Sequence, residues 1–540
     1  MIEINLSERD FDYEIQALVN SFFPGQKSVV TASGEERKDG GYSEDILLIV
    51  NVSLSMKQIS VEVVCKDYSL KRTEEVTGTK DWHKNKDKTT HPYRTYYKNV
   101  LKKLIFEQLR DIPAEILSAG HSLKRVIPLW GTMTGVRPTK IVMNEMLSGK
   151  DAQSVRNELK TTYCCSDEKI ELGMNIASKE LELLLKHDCE NGYSLYIGIP
   201  FCPTTCLYCS FTSYPYEKFG YLAEQYLEAL EKEIRYLATV YKDEKVTSIY
   251  VGGGTPTTLT ATQLDTLIKC IKDNFPLELG YEFTIEAGRP DSITKEKLEV
   301  MYNHGVGRIS VNPQTMQQKT LNLIGRKHTV EQTVEAFRMA RKIGFDNINM
   351  DLIIGLPGED ENDFSDTLRQ IKELNPDSLT IHSLVVKRAS RLRSVLDEEE
   401  KKNACKTDGA LSENDKAAFM EKMLETGQRF AKSEGYEPYY MYRQKNMLGN
   451  HENVSYCRPG CESPYNIHIM EEDQTIFAFG AGGVSKLSVP VPDAEPNILR
   501  SFNVKSVEDY LARSGEMAER KLRLVSASLE GPELTGAFSL

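Results

Sequence analysis

The chain has 540 residues, 40% hydrophobic and 27% charged, with a formal net charge of −12; that length accommodates two to four domains. The acidic balance argues against a nucleic-acid or anionic-membrane partner, though it leaves room for a local basic pocket. Apolar runs no longer than a strand exclude a membrane span, the N-terminus lacks signal-peptide character, and eleven scattered cysteines fit a reducing cytoplasm better than a disulfide framework.

Residues 1–185 read as an α+β domain of unassigned role. Alternating apolar residues predict strands at Ile2–Leu6, Asp45–Leu54 and Gln58–Asp67. Helical periodicity covers Tyr96–Leu109, and the polar run Lys80–Thr90 reads as an exposed loop. The segment Trp130-Gly-Thr-Met-Thr-Gly-Val-Arg-Pro-Thr-Lys140 carries turn residues; it reads as a domain-joining turn, with polar contact or docking as the other reading. A helix is expected at Lys169–Lys186.

From Ser194 strands and helices alternate. Strands are predicted at Leu195–Ile199, Ser248–Val251, Glu282–Glu286, Arg308–Val311, Asn347–Ile354 and Ser378–Val386. Helices are predicted at Tyr221–Tyr241, Ala261–Asn274, Lys295–Asn303, Val330–Ile343 and Asp363–Leu374. Alternation of this kind implies parallel strands with right-handed crossovers. Six β/α units fall short of a closed eight-fold barrel, so the fold class is α/β: a partial (β/α)6 barrel over 186–400. A charged connection, Asp397–Lys416, leads to a helix, Lys416–Ser433, and a smaller C-terminal α/β region over 401–525. That region contains the strand Thr475–Gly480 and is expected to cover the substrate. Residues 526–540 read as a flexible tail.

Chemistry enters at Tyr196-Ile-Gly-Ile-Pro-Phe-Cys202-Pro-Thr-Thr-Cys206-Leu-Tyr-Cys209. Three thiols sit on one short loop after a strand. A structural zinc site takes four protein ligands; three thiolates on an iron–sulfur cube leave one iron open to another ligand. Cys202, Cys206 and Cys209 are therefore candidate cluster ligands in a redox or radical protein. Downstream, Gly252-Gly253-Gly254-Thr255-Pro256 ends the second strand, where glycines let backbone approach a ligand. Glu286, Gln314, Arg326 and Asp351 stand at or after successive strand ends, the end at which such folds bind ligands.

These motifs, in this order, resemble the radical S-adenosylmethionine (SAM) superfamily. The resemblance implies a [4Fe–4S] cluster whose open iron chelates SAM, and a radical SAM barrel as the fold. It also implies SAM contacts from Tyr196, Gly253, Gly254, Thr255, Glu286, Gln314, Arg326 and Asp351. The block Tyr196–Gly358, with Ile-Pro-Phe-Cys, Gly-Gly-Gly-Thr-Pro, Gly-Arg-Lys-His-Thr and Asp-Leu-Ile-Ile-Gly-Leu-Pro-Gly, resembles the oxygen-independent coproporphyrinogen III oxidase group. Within it, the long N-terminal domain and the Trp130–Lys140 segment resemble the HemZ-type branch. Two departures matter. Phe211 stands where the principal dehydrogenase has a fourth cysteine. Glu452-Asn-Val-Ser-Tyr-Cys457 replaces the His-Asn-x-x-Tyr-Trp element of the haem chaperone, with His451 adjacent.

The resemblance implies oxidative decarboxylation of coproporphyrinogen III to protoporphyrinogen IX, with haem carriage as the alternative. The expected partners are a tetrapyrrole, an electron donor and an electron acceptor. Four propionates call for cations, and Lys387, Arg388 and Arg391 in the densest basic cluster are the candidate clamp. Cys457 and Cys461 read as thiols without a ligand set, an auxiliary metal site being the alternative.

Overall fold

The computed structural model describes residues 1–33, 46–66, 68–77, 92–118, 123–186, 192–209, 213–239, 244–385, 391–392, 394, 413–443, 451–491 and 494–529. The expectations placed on Lys80–Thr90, on most of Asp397–Lys416, and on Phe211, Lys387 and Arg388 lie outside these residues. The chain divides into two compact units. The first comprises Met1–Ser178, Asp408–Lys422 and Tyr442–Glu452; the second comprises Lys179–Thr407, Met423–Met441 and Asn453–Leu540.

The first unit carries a five-stranded sheet of β1 (Ile2–Leu6), β2 (Ser28–Ala32), β3 (Leu48–Leu54), β4 (Gln58–Cys65) and β5 (Tyr68–Glu75), in the order β2-β1-β3-β4-β5. β1 runs parallel to both neighbours, and β3, β4 and β5 form an antiparallel meander. Strict alternation in β3 and β4 sends Leu48, Val50, Val52, Ile59, Val61 and Val63 to one face. Helices Asp12–Phe22 and Pro92–Asp111 supply Leu18, Phe22, Leu101 and Ile105 to the same core. β2 and β5 escape the apolar-alternation reading because they are half-exposed edges with few core residues.

The Trp130 segment is a pinned turn. Gly131 has φ +55, and a Cβ there would stand 2.0 Å from the Tyr163 carbonyl oxygen, so only glycine fits. Thr132 N–H donates to that same carbonyl at 2.7 Å. Buried Arg443 donates from Nη2 to the carbonyls of Met133 and Gly135.

In the second unit, an open eleven-stranded sheet is built around six parallel strands. These are β6 (Gly192–Ile199), then, after the two-residue strands β7 (Phe201–Cys202) and β8 (Tyr214–Pro215), β9 (Lys245–Gly253), β10 (Leu277–Gly288), β11 (Arg308–Val311), β12 (Ile348–Ile354) and β13 (Ser378–Ser383). Helices Ala223–Ala238, Ala261–Asn274, Lys295–Asn303, Val330–Ile343 and Glu361–Leu374 follow the pattern read from sequence. Three of them open with capping boxes that satisfy their first N–H groups, Thr260 with Gln263, Thr329 with Gln332 and Asp360 with Asp363.

The C-terminal strands extend this same sheet at both edges. β14 (Glu437–Tyr442) and β15 (Asn453–Cys457) add beyond β13; β16 (Thr475–Phe479), β17 (Val484–Val491) and β18 (Ala494–Phe502) add beyond β6. β16 pairs parallel with β6 and is a seventh parallel strand. The final helix runs Val507–Leu529, so the residues from Ser526 to Leu529, expected in the tail, are helical. Tyr510 and Lys521 anchor that helix through Glu233: Tyr510 Oη and Lys521 Nζ donate to its two carboxylate oxygens, all three groups being buried. Among the described residues no helix is long and apolar enough to cross a membrane.

Candidate cluster and cofactor site

The three cysteines occupy the loop after β6, none of them in a disulfide. Cys202 closes β7. Cys209 N–H donates to the Cys206 carbonyl at 3.2 Å, and Leu207 N–H to the Ile324 carbonyl at 3.0 Å, which ties the loop to the Arg326 segment. Burial pushes the Cys202 thiol up to about 12, against the Thr255 hydroxyl that donates to its sulfur at 3.7 Å. A thiol so placed stays protonated until a metal takes the proton's place.

The glycine run lies against this loop. Gly254 N–H donates to the Ile199 carbonyl and Thr255 N–H to that of Phe201, each at 2.7 Å. Gly253 has φ +104. A Cβ on Gly252 would meet the Glu286 carboxyl carbon at 3.0 Å, and one on Gly254 would meet Cys202 Sγ at 3.0 Å and the Phe201 carbonyl oxygen at 2.5 Å. Three side chains are missing where the backbone, a thiol and a carboxylate crowd together.

Around the strand ends stand the other expected residues. Glu286 accepts from Tyr250 Oη at 2.6 Å; burial raises its carboxyl to about 7, the Tyr250 hydrogen bond only partly offsetting this. Asp351 is also drawn up by burial, but His382, 3.8 Å away, and the Asn349 amide at 2.8 Å outweigh that and hold it below its ordinary value. Gln314 adopts φ +68, rare for a residue with a side chain. Its N–H donates to the Asp351 carbonyl and its carbonyl accepts from Ile353, both at 2.9 Å. Backbone strain of this kind persists only where surroundings enforce it, which marks a positioned side chain.

Arg326 is 5% exposed; Nη1 donates to Tyr208 Oη at 2.9 Å and Nη2 to the Asn312 carbonyl at 2.7 Å. Its Nε is buried with no hydrogen-bond partner among the described residues, an unmet donor of the kind a bound anionic group completes. Tyr196 projects toward Gly253, its hydroxyl 3.3 Å from where a Cβ would be. It stacks at 6.4 Å on its register partner Tyr250, which in turn lies 4.6 Å from Tyr465.

The donor set fits the two groups the motifs imply. Three thiols on one loop suit a cubane, which takes one thiolate per iron and needs no convergence on a single ion. Consistently, no three His, Cys, Asp or Glu side chains converge as ligands of one metal ion among the described residues. The glycine cradle, two carboxylates, the strained amide and the unmet arginine N–H suit a ligand carrying an ammonium, a carboxylate and hydroxyls.

Of the basic cluster, Arg391 is exposed, and the next residue, Leu392, donates its N–H to the Leu207 carbonyl at 2.9 Å; Arg391 thus adjoins the cysteine loop. Several neighbours escaped the sequence reading: Tyr208, Tyr250, Tyr465, Arg289 and His382. Tyr208 lies inside the cysteine motif and Arg289 three residues after Glu286, so both were in view. Tyr465 comes from a helix, Pro464–Glu471, far away in sequence and carried no signal.

Fold and site together define a radical SAM protein, and the Radical SAM superfamily model matches residues 196–371; the superfamily's cofactors are a [4Fe–4S] cluster and SAM. More narrowly, the chain belongs to the family of oxygen-independent coproporphyrinogen III oxidase-like proteins that includes HemZ. It is 41% identical over 406 residues to the oxygen-independent coproporphyrinogen-III oxidase-like protein HemZ of Bacillus subtilis (strain 168), across 74% of this chain and 78% of that protein. Oxygen-independent coproporphyrinogen III oxidase of Salmonella typhimurium is 35% identical over 36% of this chain and 42% of its own. Heme chaperone HemW of Lactococcus lactis is 30% identical over 55% of this chain and 70% of its own.

Proposed function

We propose that the protein converts coproporphyrinogen III to protoporphyrinogen IX without oxygen. Cys202, Cys206 and Cys209 hold three irons of the cluster. Glu286 receives the SAM ammonium, Arg326 and Gln314 its carboxylate and hydroxyls, and Asp351 a ribose hydroxyl, while Gly253, Gly254, Thr255 and Tyr196 shape the cradle. When bound, cluster and SAM supply a carbon-centred radical able to take a hydrogen atom from a propionate β-carbon. Two of the four propionates become vinyl groups in this way, each with loss of carbon dioxide and of one further electron, which passes to an external acceptor. Arg391, with Lys387 and Arg388, holds substrate carboxylates.

One observation favours this reading over haem carriage. His451, the imidazole nearest the place of the chaperone element, has both ring nitrogens engaged: Nδ1 with Glu421 at 2.9 Å and Nε2 with the Ala417 carbonyl at 3.0 Å. Glu452 beside it is buried, accepting from Trp130 Nε1 at 2.9 Å and from Lys169 Nζ at 2.8 Å. Neither side chain is free to ligate a haem iron. The test is anaerobic incubation of the reconstituted protein with SAM, reductant and coproporphyrinogen III. Vinyl product supports the enzyme; stable haem binding with no turnover supports the carrier.

A further inference from the structure

Arg289 closes the third strand end in Ile-Glu-Ala-Gly-Arg-Pro and is 4% exposed. Pro290 holds it in extended backbone, and its carbonyl accepts from the Ser292 N–H at 3.0 Å and hydroxyl at 2.7 Å. Asp291 takes one edge of the guanidinium in a two-point fork, Nε to Oδ1 at 2.8 Å and Nη2 to Oδ2 at 2.6 Å. The opposite corner, Nη1, is thereby aimed at the cysteine loop. It donates to Thr204 Oγ1 at 3.0 Å and to Cys206 Sγ at 3.7 Å.

We propose that Arg289, clamped by Asp291, is a positioning residue that sets the reduction potential of the cluster through its hydrogen bond to the Cys206 sulfur. The inference rests on Cys206 being a cluster ligand. A donor or positive charge at a ligating sulfur withdraws electron density and stabilises the reduced cluster. Arginine keeps its charge throughout the accessible pH range. Burial strengthens the interaction, and the carboxylate fork fixes which N–H faces the sulfur. Asp291 partly cancels the charge at a distance, yet the positive end of the pair faces Cys206. The chemistry needs an electron to reach a cluster of low potential, and Arg289 makes that reduction easier.

The test uses the full chain, reconstituted anaerobically with iron and sulfide, with the midpoint potential read by redox titration of the cluster's electron paramagnetic resonance signal. Arg289→Gln is expected to load a full cluster, with the ratio of reduced to oxidised cluster at the wild-type midpoint falling about tenfold, which is about 59 mV for a one-electron couple. Arg289→Lys, which keeps the charge but loses the fork, should shift the same way by less. Thr204→Val removes the loop contact alone and should leave the midpoint at its wild-type value. A full cluster at an unchanged midpoint in Arg289→Gln overturns the proposal. So does a Thr204→Val shift as large as that of Arg289→Gln, or failure of both Arg289 variants to load, since either makes the arginine a loop staple. Cys206→Ala tests the underlying reading separately: wild-type iron content and signal there would remove Cys206 from the ligand set.

Discussion

Gly254 packs so tightly on Cys202 that a Cβ would stand 3.0 Å from its sulfur and 2.5 Å from the preceding residue's carbonyl oxygen. Backbone cannot yield as a side-chain tip can, so Gly254→Ala must displace the cysteine loop. The expected result is less than half the wild-type iron and sulfide content after reconstitution, with the fold retained by circular dichroism. Gly307, with nothing within 4 Å of its Cβ position among the described residues, is the control, and Gly307→Ala should load normally.

Glu286 is held protonated to about pH 7 by burial, whereas pairing with an ammonium needs the carboxylate. SAM affinity of the reconstituted protein should therefore fall as pH drops through 7. Glu286→Gln should bind at least tenfold more weakly at pH 8, with that pH dependence lost. The sign for stability is opposite. With its pKa raised on folding, the native state binds the extra proton between about 4.5 and 7, so stability falls as pH rises through that window. The glutamine keeps an acceptor for Tyr250, and at pH 8 the cofactor-free variant should unfold at higher urea than wild type.

Gln314 occupies a backbone region that costs a non-glycine residue about 1 kcal/mol. Gln314→Gly should leave the cofactor-free protein at least as stable as wild type in urea, yet weaken SAM binding at least fivefold by calorimetry. Equal affinity in the two proteins would take Gln314 out of the cradle.

Lys169 and His451 hold the Glu421 carboxyl down to about 2, against the burial that would raise it. A depressed acid contributes stability that is complete above about pH 4.5 and lost as pH falls toward 2. His451→Ala should raise the acid-unfolding midpoint of the cofactor-free protein and cost about 2 kcal/mol at pH 7, followed by far-ultraviolet circular dichroism.

The parallel core was readable because its buried strands are short apolar runs, five of them followed by an amphipathic helix, and four of those helices open with a side-chain cap. The cysteine spacing and the strand-end polar residues then pointed to the candidate site. What stayed hidden depends on distance in sequence. β16 joins β6 across 282 residues of separation, Thr475 opposite Tyr193, and reads alone as an ordinary apolar run. The orientation of Arg289 is set by Asp291, and a sequence shows that pair only as two adjacent charges around a proline. The Tyr196–Tyr250–Tyr465 stack needs strand register and a remote helix, neither of which periodicity supplies.

Coproporphyrinogen III carrying deuterium at the propionate β-carbons tests the central claim most directly. Under anaerobic turnover with SAM and reductant, deuterium should appear in the 5′-deoxyadenosine formed, with one deoxyadenosine and one carbon dioxide released per vinyl group. Deoxyadenosine free of deuterium, with the propionates intact, would contradict it.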